Sequence, residues 1–361
     1  MGRSILDFCG DLASGHFQSF YSFRSSIEHI SEDLWYSDAL HDLYSLVENI
    51  SGRRLVEKSD TTVVKTDSGN LLGFLQEEYT QDRIQHEVQN ICSLQQLSED
   101  NGAHFLYCQI PNKTIYDTAP PNAENYSRQN YDRILEAVEA SGCPVLDLKT
   151  ALKEYGIPDS DLFFLTDHHW TPKTGFAVVS IICDQLQRRY GFEYDPALTD
   201  LQNYHVEQYK NWFLGSYGKK IGTYFTWHGA DDFDLILPAF PTDFTEFVPS
   251  DNRSRTGTFE NSLLHMEKMK RDLYKTNTYA TYGGGDYRLQ ILYNHLHPNA
   301  SKTLVIRNSF SCVVTPFLAL HTGELHIIDD REGDYPSPEL IPIATYIEEN
   351  KPDYVLLIKD T

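Results

Sequence analysis

With 361 residues, 40% of them hydrophobic and 23% charged, the chain has a globular composition and room for one large domain with an insertion, or for two smaller ones. Its 52 acidic and 30 basic residues give a formal charge of −22 with no basic stripe to offset it. That balance excludes nucleic acid as a partner and obliges any polyanionic substrate to find a local basic patch.

The chain opens without a continuous apolar stretch of the signal-peptide kind, and its run FAVVSIIC from Phe176 is too short to span a bilayer. No transmembrane segment is expected in this chain. Residues from about 20 to 50 place Phe23, Ile27, Ile30, Leu34, Leu40, Leu43 and Leu46 at helical spacing, and Gly52 ends the pattern. TTVVKTDSGNLLGF then predicts a hairpin turning at Asp67-Ser68-Gly69, followed by a helix from about Glu77 to Leu97. From there strands and helices alternate. HFLYCQIP (His104–Pro111) and PVLDL (Pro144–Leu148) read as strands with a helix over Glu124–Ala140 between them, and Thr171-Pro172 starts a helix running to Tyr190. KTLVIRN (Lys302–Asn308), ELHIID (Glu324–Asp329) and DYVLLI (Asp353–Ile358) are three further strands, separated by helices from about Thr315 and Glu339. Such alternation implies a mainly parallel sheet covered on both faces.

Between Asp200 and Ala300 the rhythm breaks. GSYGKKIGTYFTWHGADDFDLILP reads as a hairpin and a further extended segment, and TYATYGGGDY holds three successive glycines. This stretch is expected to be an insertion. The six cysteines include no CxxC pair, which argues against a zinc ribbon or a disulfide framework and for buried thiols. The 23 Tyr, 19 Phe and 4 Trp suit sugar stacking but suit a core better.

Chemistry concentrates in FFLTDHHWTPKTGF (Phe163–Phe176). Asp167-His168-His169 admits two readings. As metal ligands, the trio needs more carboxylates, as in the DHH-type metal-dependent phosphoesterases; the earlier strand ends in QIPNK without one, and of the acidic pairs Asp231-Asp232 and Asp329-Asp330 only the second follows a parallel-type strand. As acid and base of a triad, Asp167 and His169 point the same way in an extended segment, with His168 and Trp170 opposite. The best nucleophile is Ser309 in LVIRNSFS, directly after a β-branched strand, with Ser311 in reserve.

Thr166-Asp167-His168-His169-Trp170-Thr171, followed by Asn308-Ser309-Phe310-Ser311, resembles the DHHW proteins, relatives of the alginate O-acetyltransferases and, more distantly, of SGNH hydrolases. IPNK, FLGSYGKKIG, the ADDFDLILP segment and the KPDYVLL strand extend the likeness over most of the chain from about residue 50. The resemblance implies an SGNH-like three-layer α/β/α fold with a β-rich insertion. Residues 1–80 would form an N-terminal helical segment and hairpin, and 81–361 the SGNH-like domain with the insertion at about 200–300. It also implies Ser309 as nucleophile, His169 as base and Asp167 as its orienter, with the Asp/His block before the serine block. The expected chemistry is acyl-ester cleavage or transfer on carbohydrate, an O-acetyltransferase or O-acetylesterase outside the cytoplasm, with a carbohydrate and an acyl donor as partners and no cofactor.

Two departures stand out. The family's serine block usually reads Gly-Asp-Ser or Arg-Asp-Ser, and here it is Arg307-Asn308-Ser309. The Asn that many SGNH enzymes use as an oxyanion donor is replaced by the ending Lys359-Asp360-Thr361. Arg331 and the Gly283-Gly284-Gly285 run, chiefly Gly284 and Gly285, are candidate substitutes, and Trp170 is a candidate substrate contact. The altered serine block also keeps open a non-catalytic glycan-binding or assembly module on the same fold.

Overall fold

The computed structural model describes residues 37–57, 62–73, 75–117, 123–331 and 340–360. Phe23, Ile27, Ile30 and Leu34 lie outside them; of the first expected helix, Ser37–Ile50 is described and is helical. Strands β1 (Leu55–Glu57), β2 (Thr62–Lys65) and β3 (Leu71–Leu72) form a small antiparallel sheet, with the β2–β3 turn at the expected Asp67-Ser68-Gly69.

The main sheet is built from β4 (His104–Ile110), β5 (Val145–Asp147), β8 (Phe244–Val248), β9 (Arg253–Gly257), β10 (Leu289–Asn294), β11 (Lys302–Arg307), β12 (Glu324–Asp329) and β13 (Tyr354–Asp360); β6 (Tyr204–Phe213) and β7 (Asp231–Pro238) pair separately. Its order is β5-β4-β13-β11-β12-β10-β8-β9. The five strands expected from the alternating pattern are the parallel ones. β10, β8 and β9, all from the aromatic stretch, extend the sheet antiparallel.

Alternation along the parallel strands explains the two cores. Val305, Leu325, Ile327, Leu356 and Ile358 face one side, where Phe176, Val179, Ile182 and Leu186 of the helix Pro172–Tyr190 cover them. Leu304, Ile306, Ile328, Val355 and Leu357 face the other, against Ile84, Ile91, Ile134, Val138 and Ile347. Each fully buried aliphatic of this kind contributes about 1.5–3 kcal/mol. The result is the α/β, three-layer arrangement with a mainly parallel sheet that the sequence predicted.

Helix Pro172–Tyr190 begins as expected. Thr171 caps it by accepting from the Thr174 N–H, proline occupies the first turn, and Gly191 ends it in the left-handed region at φ 72°. One expectation is corrected. GSYGKK is not a hairpin: Ser216–Ile221 is a helical turn, followed by a 3₁₀ turn at Thr223–Phe225 and only then by β7. Among the described residues, no helix is long and apolar enough to cross a membrane.

Candidate active site

The Asp-His-His segment is not a strand. Residues 162–171 form a tight loop closed by an isolated Phe163–Trp170 bridge, by Thr171 N–H donating to Leu162 O (3.0 Å) and by Phe164 N–H donating to His169 O (3.2 Å). The expected two-sided alternation therefore does not hold. Asp167 and His169 do meet, but the His168 ring also lies 3.8 Å from that of His169.

The loop keeps its shape because its backbone is gripped from outside. Asp231 at the start of β7 accepts from the Leu165 N–H (2.6 Å), the Thr166 N–H (2.9 Å) and the Thr166 hydroxyl (2.5 Å). The buried Lys113 ammonium donates to the carbonyls of Leu71, Phe164, Leu165 and Asp167 at 2.9, 2.6, 2.9 and 3.0 Å. Burial brings its pKa down to about 8, partly opposed by Asp231 and Asp167. Gly215 lies so close that a Cβ there would stand 2.3 Å from Asp167 Cβ.

Within this frame Asp167 accepts from the His169 backbone N–H (2.9 Å), from His169 Nδ1 (2.5 Å) and from the Ser216 N–H (2.5 Å). Burial opposes its ionisation, but the two imidazoles and the hydrogen bonds from His169 and Ser216 hold its carboxyl well below the usual carboxylate range. An ionised carboxylate only accepts, so Nδ1 carries the ring proton and Nε2 is left as an acceptor. Ser309 Oγ sits 2.8 Å from that Nε2. Burial and the neighbouring His169 lower the pKa of His168 to about 3, and its Nδ1 lies 3.2 Å from Ser216 Oγ.

Ser309 follows β11, at the carboxyl edge of the parallel strands. Asn308 caps the 3₁₀ turn Ser309–Val313, its Oδ1 accepting from the Phe310 N–H (3.2 Å) and its Nδ2 donating to Asp360 Oδ1 at the end of β13 (2.5 Å). Tyr279 completes the support. Its ring stacks on His169 at 4.2 Å, and its hydroxyl donates to the carbonyls of Ser309 (3.1 Å) and Phe310 (3.0 Å).

The remaining candidates separate. Ser311 is fully buried and its hydroxyl makes no hydrogen bond among the described residues, so it is no substitute nucleophile. Trp170 is also fully buried, edge-on to Phe310 at 5.6 Å, and packs beneath the loop instead of meeting substrate. Gly284 backs onto His265, and the Gly285 carbonyl accepts from Arg307 (3.0 Å), so the contacts of this run support Arg307 and Asp286, not an oxyanion at Ser309. Arg331 pairs with Asp329 and with Asp286 (3.1 Å), and it lines a cavity of about 260 Å³ together with Asn308, Lys359, Asp360, Tyr79 and Arg83.

Asp167, His168 and His169 place ligand atoms within 4.8 Å of one another. Asp167 and His169 Nδ1 are spent on each other, however. The carboxylates a metal site would add are also engaged, Asp329 by Arg331 and Asp330 by Lys359. Lys113, Ser216 and Tyr279 were not singled out from the sequence, although the first two lie in IPNK and FLGSYGKKIG; Asp231 figures there only as one of an acidic pair for a metal, whereas it grips the backbone of the loop.

Residues 72–210 match the family model described as the SGNH hydrolase-like domain of the acetyltransferase AlgX; this range includes Asp167 and His169 and stops before Ser309. No curated protein matches. Among solved structures, PatB1 of Bacillus cereus superposes with a TM-score of 0.67 at 18% identity, covering 83% of this chain and 96% of its own. PatB1 is also known with a sulfonyl adduct, matching at 0.67 and 19% identity over 84% of this chain and 96% of that one. A DHHW family protein from Eubacterium siraeum matches at 0.61 and 18% identity, covering 85% and 92%. Residues 72–210 are thus similar to the SGNH hydrolase-like domain of AlgX, and the fold is that of PatB1 and of the DHHW family protein, as the resemblance of Thr166–Thr171 and Asn308–Ser311 implied.

Proposed function

We propose that the chain transfers or hydrolyses an acyl group, acetyl above all, on carbohydrate, with Ser309 as nucleophile, His169 as base and Asp167 as orienter. The observation that supports this reading is the continuous line from Asp167 through Nδ1 and Nε2 of His169 to Ser309 Oγ, at 2.5 and 2.8 Å. Ser309 Oγ attacks the ester carbonyl carbon while Nε2 takes its proton. The tetrahedral oxyanion collapses, the alcohol leaves with the proton returned from His169, and an acyl-serine remains. Water or a sugar hydroxyl, deprotonated by the same nitrogen, then attacks the acyl carbon and releases Ser309. Asn308 occupies the Phe310 N–H, so in this reading the N–H of Ser309 itself serves the oxyanion and Arg331, which lines the neighbouring cavity, serves the substrate.

The match to an acetyltransferase domain supports the acetyl group, and the family's usual setting supports a place outside the cytoplasm. The test uses p-nitrophenyl acetate and a sulfonyl fluoride, the latter prompted by the PatB1 adduct. Hydrolysis is expected to survive chelation, to fall at least ~10³-fold in Ser309→Ala, and to stop when one sulfonyl group is found on Ser309 by mass spectrometry. Activity that dies with a chelator and returns with manganese overturns the assignment in favour of a metal phosphoesterase. Hydrolysis unaltered by Ser309→Ala and His169→Ala overturns it in favour of a non-catalytic glycan-binding module.

A further inference from the structure

A cavity of about 750 Å³ lies away from Ser309. It lies at the opposite, amino edge of the parallel strands, where His104 begins β4, Ser301 precedes β11 and Tyr354 begins β13. Six residues of β11 separate it from the nucleophile, a distance of about 20 Å at ~3.3 Å per residue.

Its size is that of a small-molecule or oligosaccharide site, and its lining has a consistent chemistry. His321, only 5% exposed, lines it with neither ring nitrogen hydrogen-bonded to any described residue. Buried polar groups are normally paired, so an imidazole left without partners in the wall of a large cleft indicates a ligand. Burial lowers its pKa to about 4, with Asp195 opposing and His297 adding to the effect. At neutral pH the ring is therefore uncharged, with a donor on one edge and an acceptor on another, either of which can meet a hydroxyl group.

The walls restrict the ligand further. Tyr194 meets His321 edge-on at 5.8 Å, Phe192 meets Tyr354 at 5.1 Å, and the His104 ring lies 5.5 Å from that of Tyr354. Phe192 and Tyr354 are buried beneath the wall, and the half-buried Tyr194 and exposed His104 are the rings that can meet the face of a sugar. Glu193, Asp195 and Asp353 supply acceptors, and no lysine or arginine is among the described lining residues. Anionic sugars and phosphates are thereby disfavoured. A polyamine is the weaker fit, because Asp195 already accepts from the Ala197 N–H (2.9 Å) and Asp353 from the Lys302 N–H (2.8 Å), while a cation gives His321 no acceptor.

We propose that this rear cleft binds a neutral saccharide segment, with His321 hydrogen-bonding one of its hydroxyls. Its use as a second hold on a polymer being modified at Ser309 rests on the proposed acyl chemistry; the binding itself does not.

The test is calorimetric titration of the full chain with cellohexaose, xylohexaose and chitohexaose, and with spermidine as a cationic control. At least one hexasaccharide is expected to bind with Kd below ~1 mM. His321→Leu and Asn299→Trp, the second filling the mouth from an exposed position, are each expected to weaken it at least ~10-fold, whereas Ser309→Ala leaves it unchanged. Both rear variants should hydrolyse p-nitrophenyl acetate at the parent rate, which confirms their fold and separates the two sites. A protein that binds but never hydrolyses overturns only the role of Ser309. No binding by any hexasaccharide, binding indifferent to both rear variants, or spermidine binding abolished by Asn299→Trp in its place overturns the saccharide cleft.

Discussion

Asn308 stands where the related serine blocks carry Asp, and its amide explains how the exchange is accommodated. One end caps the turn that carries Ser309 and the other donates to Asp360 at 2.5 Å. Asn308→Asp keeps the cap but sets two carboxyls against each other, so one must hold a proton. At pH 8 the change is expected to cost about 1–3 kcal/mol by urea denaturation, along with most of the turnover. The swap Asn308→Asp with Asp360→Asn is expected to restore both, and a swap no better than the single variant would refute the pairing. His168 bears on acid stability. Folded, it titrates at about 3 because it is buried beside His169, whereas the unfolded imidazole titrates near ~6.5. The unfolded chain thus binds the extra proton across that window, and stability falls as pH drops from ~6.5 towards 3. Asp360, raised by burial, acts with the opposite sign, so the difference between proteins is what isolates His168. His168→Gln is expected to lose less of its urea midpoint between pH 7 and 5 than the parent does.

The helix Pro172–Tyr190 and the turn Ser309–Val313 meet at Gly175. A Cβ there would stand 2.4 Å from Val313 Cγ2 and 2.6 Å from the Val313 carbonyl oxygen, a clash with backbone that no rotamer relieves. Helix propensity favours alanine by up to ~1 kcal/mol, and overpacking costs about 1–3 kcal/mol. Clash wins, and the turn moves. Because a displacement near 1 Å at a reacting atom costs about 10²-fold, Gly175→Ala is expected to lower kcat on p-nitrophenyl acetate far more than it lowers Tm. An unchanged kcat would show that the turn is not held there. The same elements show what the sequence made legible. Asp167, His169 and Ser309 could be read because spacing and a strand end announce them, yet the reason given for the first two, strand alternation, was wrong. The roles of Lys113, Asp231 and Tyr279 could not be read, because they hold the site largely through backbone groups that every residue has. Ser216–Ile221 read as a hairpin because glycines and Tyr217 mimic a turn, while its helical start is set by a distant carboxylate, Asp167.

For the whole molecule, the parallel half of the sheet was legible and the antiparallel half was not. β4, β5, β11, β12 and β13 are continuous apolar runs, whereas β8, β9 and β10 depend on register across an irregular stretch. Charge acts at this level too. With a net −22 on the chain, and with Arg331 offset by Asp286 and Asp329, an anionic ester approaches against repulsion that salt screens within ~10 Å at 0.1 M. Raising NaCl from ~20 to ~200 mM is expected to increase kcat/KM for 4-acetoxybenzoate at least ~2-fold and to leave p-nitrophenyl acetate unchanged. A fall for the anionic ester would reveal a basic approach path that the charge balance hides.

His169 and Ser309 are 140 residues apart in the chain, and the loop that aims His169 borrows its anchors from Leu71, Lys113, Ser216 and Asp231. Contacts so distant carry a loop-closure cost that must be met before they contribute anything. During synthesis, the imidazole has its carboxylate from the start, its clamps only after Asp231 has emerged, and its serine last of all. On the proposed chemistry, a nascent chain therefore holds the base before the nucleophile, and an acyl-enzyme becomes possible only once β11 has brought Ser309 to His169.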